Sequence, residues 1–123
     1  MTLGNCFAAA GEYLLSHCLF DLEKREQLRL VHGRVTRRLP PHIQYGHAWI
    51  EVDGKDVIDP VQNLAATIED YYEAGGVDAE SCIKYTYADM GKHINETKHW
   101  GPWKLKELPE ESEYRESLGE SHG

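Results

Sequence analysis

The stretch GHAWIEVDGKDVIDP, residues 46–60, decides the fold of this chain. Two short runs rich in β-branched and aromatic residues flank Asp53-Gly54, a dipeptide typical of tight hairpin turns. The stretch therefore predicts two antiparallel strands. His47 lies near the start of the first strand and Asp59 at the end of the second, so the hairpin can bring an imidazole and a carboxylate together.

The turn determines whether these two side chains share a face. A two-residue loop pairs His47 with Pro60 and turns Asp59 to the opposite face. A three-residue loop that ends in a left-handed Gly54 is a type I turn with a G1 bulge, and it pairs His47 with Asp59. We predict this bulged register, with φ above zero at Gly54.

Side-chain alternation divides the first strand into two faces. One face carries Tyr45, His47, Trp49 and Glu51, and the other carries Ala48, Ile50 and Val52. In the bulged register Glu51 pairs with Lys55, and Val57 shares the face of Trp49.

A helix is predicted over residues 5–19, where apolar residues recur at helical spacing. Asn5 is a good N-cap, which sets Cys6 at the first helical position. The unpaired N–H groups and the helix dipole stabilise a thiolate there. The other interpretation of Cys6 is a small buried residue at a helix start, and both remain open. Cys18, on the apolar face in mid-helix, is predicted to be core.

The rest of the chain predicts a small α+β domain. Residues 20–27 form a charged connection, 28–37 a strand, 64–74 a helix ended by Gly75-Gly76, 81–87 a strand and 88–99 a helix. Gly33 within a strand predicts a bulge or a close backbone approach. His32 and His42 are predicted to be solvated or hydrogen-bonded.

The length and the charge distribution indicate how many domains the chain has and where the domain ends. The 123 residues fit one domain, residues 1–106, followed by an acidic tail over residues 107–123. The tail has six Glu against one Arg and few apolar residues, so it is predicted to be disordered.

The composition also excludes several classes of partner. The net charge of −8 argues against nucleic-acid binding, and no apolar run is long enough for a membrane span. The basic stretch 24–38 either meets an anionic substrate or is a solvated strand edge. Three cysteines without CxxC spacing favour reduced thiols and a cytoplasmic location.

Cys6 at a helix start, a following strand, HAWIE at residues 47–51 and the Asp-Pro at residues 59–60 together resemble the transglutaminase-like branch of the papain-like cysteine enzymes. The resemblance covers residues 4–61. It implies an N-terminal helix that carries the Cys and packs on a small antiparallel sheet, with helices C-terminal to it.

The resemblance also implies roles for three residues: Cys6 as nucleophile, His47 as general base and then acid, and Asp59 as the group that orients the imidazole. The implied reaction is acyl transfer from an amide or ester of a peptide, a protein or a small molecule, without a cofactor. Peptidase, amidase, deamidase and transglutaminase activities all fit.

Donors for the oxyanion or contacts to substrate remain open among Asn5, Tyr45 and Trp49, with Gln44 as a further candidate. Two other functions also stay open. One is a non-catalytic binding or inhibitory module, and the other is a metal site built from Cys6, His47 and Asp59 or His32.

Overall fold

A computed structural model describes residues 5–117, apart from the side chains of Asn5 and Arg115. Five helices span α1 Asn5–Cys18, α2 Leu22–Gln27, α3 Ile68–Gly75, α4 Tyr87–Thr97 and α5 Pro109–Ser117. Five strands span β1 Leu28–Thr36, β2 Gln44–Val52, β3 Asp56–Asp59, β4 Leu64–Thr67 and β5 Asp78–Tyr85. The strands form one antiparallel sheet in the order β4-β3-β2-β1-β5. The predicted α+β class and the N-terminal helix are confirmed.

The two faces of the sheet carry separate apolar cores. On one face α1 and α4 cover a cluster that includes Leu14, Leu30 and Ile50. On the other face α3 covers a cluster that includes Trp49 and Val57. The predicted alternation along β2 is therefore confirmed, as is the placement of Val57 on the face of Trp49. No helix within residues 5–117 is long and apolar enough to cross a membrane.

The turn of the central hairpin differs from the predicted one. Asp53 and Gly54 both have positive φ, 53° and 65°, and the Lys55 N–H donates to the Val52 carbonyl over 3.0 Å. The left-handed Gly54 is as predicted. The loop has three residues, as predicted, but it covers residues 53–55 and not 52–54, so Val52 pairs with Asp56.

This turn shifts the register of the hairpin by two residues. Glu51 pairs with Val57 and not with Lys55. Continued past Ile50↔Ile58, the register sets Asp59 beside Trp49 and not beside His47. The predicted pairing is wrong, but a shift of two residues preserves the face of every side chain. His47 and Asp59 consequently lie diagonally on one face.

Two tertiary hydrogen bonds hold this loop. The Asp53 N–H donates to the Gln27 carbonyl over 2.8 Å, and the Ile68 N–H donates to the Lys55 carbonyl over 2.9 Å. Both partners lie outside the hairpin. Local turn preference could not distinguish between the loops for this reason.

Gly33 shows both of the features predicted for it. The pairing of β1 with β5 shifts between His32 and Arg34. A Cβ at Gly33 would lie 2.8 Å from Cys82 Sγ and 2.9 Å from Trp49 Cη2. Only glycine therefore fits at position 33, because a larger residue would collide with these two side chains.

The segment after the hairpin differs from the predicted helix over 64–74. Asn63 adopts a left-handed φ of 52°, which reverses the chain so that β4 pairs with the outer side of β3, with Asp59 opposite Leu64. The helix starts later, and its N-cap is Thr67, whose hydroxyl accepts from the Asp70 N–H. Backbone donors and acceptors on the free edge of β3 thus outweigh helix propensity over 64–67.

The acidic C-terminal segment also differs from expectation. Residues 109–117 form α5 where the composition predicts disorder, and residues 118–123 lie outside the described part. The buried Glu111 carboxylate accepts from the Gly46 N–H, and the Arg37 guanidinium lies 5.1 Å from the centre of the Tyr114 ring. These contacts offset the charge that makes the segment look disordered in sequence.

Candidate active site

His47 and Asp59 form a buried pair. His47 Nε2 lies 2.8 Å from Asp59 Oδ2, and the two side chains have 8% and 0% of their surface exposed. The imidazole of His47 reaches the Asp59 carboxylate across the diagonal left by the hairpin register. The proximity predicted from the sequence is therefore present, although it arises from a different pairing of the strands.

Asp59 is held by four further hydrogen bonds. Its Oδ1 accepts from the N–H groups of Val61 and Gln62 over 3.1 and 3.2 Å, the pattern of an Asx turn. Its Oδ2 accepts from Gln62 Nε2 and from the Tyr71 hydroxyl, each over 2.6 Å. The carboxylate is thus fixed by β3, by the following turn and by α3.

Cys6 meets the imidazole from the first turn of α1. Its side chain hydrogen-bonds to His47. Because Asp59 occupies Nε2, the remaining ring nitrogen, Nδ1, is the one available to sulfur. The order sulfur, imidazole, carboxylate is therefore present in one site.

Gly46 explains how α1 comes this close to β2. A Cβ there would lie 3.3 Å from Leu105 Cδ2, which is tighter than ordinary contact, and 3.4 Å from Phe7 Cζ, at the limit of ordinary contact. Glycine at this position lets the first turn of α1 approach the strand just before His47.

The charges of the site support one another. Burial lowers the pKa of His47, but the hydrogen bonds to Asp59 and Cys6 outweigh it and raise that pKa to about 9. Burial raises the pKa of Asp59, and the bonds from His47, Tyr71 and Gln62 outweigh it and lower that pKa to about 2. At neutral pH the ring is an imidazolium beside a carboxylate.

A second buried carboxylate, Glu51, anchors the same strand. It accepts from the Trp49 Nε1–H over 3.1 Å and from the Tyr72 hydroxyl, and its Oε1 lies 2.8 Å from Lys84 Nζ. This network ties β2 to α3 and β5. It also uses the indole donor of the fully buried Trp49, so Trp49 is not available as an oxyanion donor.

The other two candidate contact residues have different positions. Tyr45 lies beside the site, with its ring centre 6.4 Å from that of His47. Burial, followed by the charges of Cys6 and Asp59, raises the pKa of its hydroxyl, so it remains a neutral donor. Asn5 opens α1, but its side chain lies outside the described atoms.

A cavity of about 250 Å³ opens beside the imidazole, between β2, β4 and α3. Its lining includes His47, Gln62 and Tyr71 of the hydrogen-bond network. Arg38 and Asp70 are its charged lining residues, and Val35, Leu64, Ala66 and Ala74 give it apolar walls. The cavity is small, and its mostly apolar walls suit a group of side-chain size.

The other histidines do not join the site. His42 is exposed, with Nδ1 3.1 Å from the Arg37 carbonyl oxygen, as predicted. His32 is fully buried, and neither ring nitrogen has a hydrogen-bond partner among the described residues, so the prediction for it is wrong. It lies instead among the rings of Phe7, Tyr85 and Trp103. Burial, and after it the charge of His93, lowers its pKa to about 3.

The cysteines are reduced thiols, and four arginines of the basic stretch bind backbone carbonyls. All three cysteines lie in the described part, and none forms a disulfide. No group of three or more His, Cys, Asp or Glu residues between positions 5 and 117 is arranged to hold a metal ion. Arg25, Arg29, Arg34 and Arg37 of the basic stretch donate to backbone carbonyls.

The sequence did not predict the two side chains that hydrogen-bond to Asp59, those of Gln62 and Tyr71. Gln62 had a local signal, because an Asp three residues upstream before a Pro is typical of an Asx turn. Tyr71 had none, since it lies twelve residues away on α3 and reaches Asp59 only through packing.

Comparisons of the chain with protein-family models, with curated proteins and with solved structures gave no match.

Proposed function

We propose that this protein is a cysteine-dependent acyl-transfer enzyme with a papain-like or transglutaminase-like core. The observation that carries the proposal is the arrangement around His47: Asp59 on one ring nitrogen and Cys6 hydrogen-bonded to the ring. Nucleophilic catalysis by cysteine needs a base or acid beside the sulfur and a third group that orients it.

In this mechanism Cys6 reacts as a thiolate paired with the His47 imidazolium. The sulfur attacks the carbonyl carbon of an amide or ester, and the carbonyl electron pair moves to oxygen. When the tetrahedral intermediate collapses, the bond to the leaving group breaks and His47 gives its proton to the departing nitrogen or oxygen.

Deacylation reverses these roles. The neutral imidazole takes a proton from water, or from an amine, as that nucleophile attacks the thioester. The acyl product then leaves and the thiolate is restored. Asp59 keeps the ring oriented in both halves of the reaction, and the backbone N–H of Cys6 at the helix start is a candidate oxyanion donor.

The cavity beside His47 is large enough to hold one side chain or a group of similar size from the substrate. Its mostly apolar walls accommodate a group of this size from a peptide, a glutamine side chain or a small amide.

One observation favours the alternative, a binding or inhibitory module that does not turn over. Cys6 has only 4% of its surface exposed. A substrate reaches such a thiol only if neighbouring groups move.

Alkylation separates the two functions. The purified protein is treated with iodoacetamide at pH 6–7, and each cysteine is followed by peptide mass spectrometry. Burial raises the pKa of both Cys18 and Cys82, so these residues serve as internal references. We expect Cys6 to react well ahead of both, and His47→Gln to abolish that lead. Equal, slow labelling of all three would contradict the enzymatic proposal.

Turnover is tested with a panel of fluorogenic peptide amides and with amine incorporation into a glutamine-containing protein. We expect Cys6→Ser to abolish any activity found. Activity that persists in this variant would remove Cys6 from the mechanism.

A further inference from the structure

The edge of β2 just before His47 has no strand beside it among the described residues. β3 pairs only with residues 50–52 of β2 and ends at Asp59. The edge over residues 44–46 therefore continues past the end of its neighbour. We call this segment the open edge.

Two backbone N–H groups of the open edge, those of Gln44 and Gly46, point away from β1. Gly46 lies opposite Arg34. The Arg34 N–H donates to Ser81 Oγ over 2.8 Å, on the side of β5. Residues of an antiparallel pair that do not bond each other direct their N–H groups outward on both sides. The Gly46 donor thus faces the space that a further strand would fill.

Side-chain carboxylates of α5 occupy these donors. The Gly46 N–H donates to Glu111 Oε2 over 3.1 Å, and the Gln44 N–H donates to Glu110 Oε1 over 3.4 Å. Glu111 is 4% exposed although it is ionisable. The two N–H groups belong to alternate residues of β2, and an antiparallel strand bound at this edge would offer its backbone carbonyls to the same two groups.

The open edge also adjoins the proposed nucleophile. Gly46 directly precedes His47, and Phe7, which follows Cys6, comes within 3.4 Å of a Cβ placed on Gly46. A chain bound to the Gly46 N–H would therefore lie close to both His47 and the first turn of α1.

We propose that the open edge binds the main chain of an extended peptide substrate, and that α5 occupies this edge as an intramolecular inhibitor. Substrate carbonyls replace the carboxylates of Glu110 and Glu111, so the peptide adds to β2 as a short strand. This inference rests on the proposed function and narrows its substrate class to peptides. α5 therefore has to move before a peptide can pair with Gln44 and Gly46.

The test compares two double variants of the full chain. Glu110→Ala/Glu111→Ala removes the acceptors, while Glu113→Ala/Glu116→Ala removes the same charge from exposed positions of the same helix. Two thiol probes are used on each protein: iodoacetamide, which has no peptide chain, and acetyl-Ala-Ala-Ala vinyl sulfone, which does.

We expect the first variant to raise the rate constant of the peptidyl probe at Cys6, relative to that of iodoacetamide, about ten-fold or more, because the carboxylate bonds to the Gly46 and Gln44 N–H groups compete with the peptide. The control variant should leave this ratio at the wild-type value. An unchanged ratio with a reactive Cys6 would overturn the docking inference and leave the proposed function standing. A Cys6 that reacts no faster than Cys18 and Cys82 with either probe would overturn both.

A second measurement follows the Gly46 amide by hydrogen exchange. It should be protected in the wild type, exchange faster in Glu110→Ala/Glu111→Ala, and regain protection after labelling with the peptidyl probe but not with iodoacetamide. Protection that is the same in both adducts would contradict strand addition. If the double variant does not fold, Glu111→Leu, which retains most of the side-chain volume but has no acceptor oxygen, is measured in the same way, and a rate ratio equal to wild type again overturns the inference.

Discussion

The Tyr71 hydroxyl donates over 2.6 Å to the same oxygen of Asp59 that accepts from His47. Tyr71 lies on α3 and the pair lies on the sheet, so this bond couples the packing of the helix to the orientation of the imidazole. Burial, and next the bond to Asp59, raises the pKa of the phenol, which therefore stays protonated and a donor at neutral pH.

Replacing Tyr71 with Phe removes one of the donors that hold Asp59. We expect a loss of about 1.5–3 kcal/mol in the free energy of unfolding, because a buried bond to a charged group is lost. Alkylation of Cys6 should slow several-fold, since the carboxylate orients the ring less well. Chemical denaturation and the iodoacetamide rate measure the two effects.

Tyr72→Phe is the matched control, because Tyr72 donates to Glu51 and not to Asp59. It should cost similar stability and leave the alkylation rate of Cys6 unchanged. Equal slowing in both variants would show that the effect of Tyr71 is general destabilisation.

Asp59→Asn should lower the pKa of His47, because the neutral amide no longer stabilises the imidazolium. NMR titration of the ring protons should give a midpoint near 9 in the wild type and a clearly lower one in the variant. Asp56→Asn, an exposed substitution on the same strand, should leave the midpoint in place. A wild-type midpoint at or below the ordinary value of 6.5 would contradict the pairing.

The same pair predicts a pH window for stability. The pKa of His47 is raised in the folded state, so its contribution is complete below pH 6.5 and is lost as pH rises towards 9. The pKa of Asp59 is lowered, so its contribution is complete above pH 3.8 and is lost as pH falls towards 2. Unfolding midpoints measured across pH 4–9 should show the alkaline loss in the wild type and a flatter profile in Asp59→Asn.

His32 should destabilise the fold in acid. Its pKa is lowered to about 3, so the unfolded chain takes up a proton near pH 6.5 that the folded chain does not bind. Relative to His32→Phe, the wild type should lose about 2 kcal/mol between pH 7 and pH 5. Urea denaturation at both pH values gives this difference directly.

The exposed His42 provides the control for this substitution. His42→Phe should leave the pH dependence as in the wild type. At pH 7, His32→Phe should also be more stable than the wild type by about 1 kcal/mol, because two buried nitrogens without partners are removed. Equal pH profiles for wild type and His32→Phe would contradict the neutral, buried ring.

Replacing Gly33 and Gly91 with alanine should have opposite effects on the free energy of unfolding. Gly33→Ala forces a methyl against Cys82 and the Trp49 ring and should cost about 1–3 kcal/mol. Gly91→Ala, in the interior of α4 with no atom within 4 Å of the new Cβ, should gain about 0.5–1 kcal/mol. Thermal unfolding measures both, and a neutral Gly33→Ala would contradict the close approach of β1 to these side chains.

The sequence by itself determined the faces of the central hairpin. Side-chain alternation has a period of two, so the shared face of His47, Trp49 and Glu51 follows from residue order alone. Helical spacing located α1 in the same way, and Gly33 marked the close approach on β1. Each of these features depends on neighbours within a few positions.

Only the tertiary structure decided the register, the burial and the supporting contacts. The loop over residues 53–55 is fixed by bonds to Gln27 and Ile68, and Asp59 is held by Tyr71 from α3. The burial of His32 and the order of α5 likewise depend on partners dozens of residues away. Local propensity carries no record of such partners, so the sequence could suggest the pair His47–Asp59 while only the fold determines how its members meet.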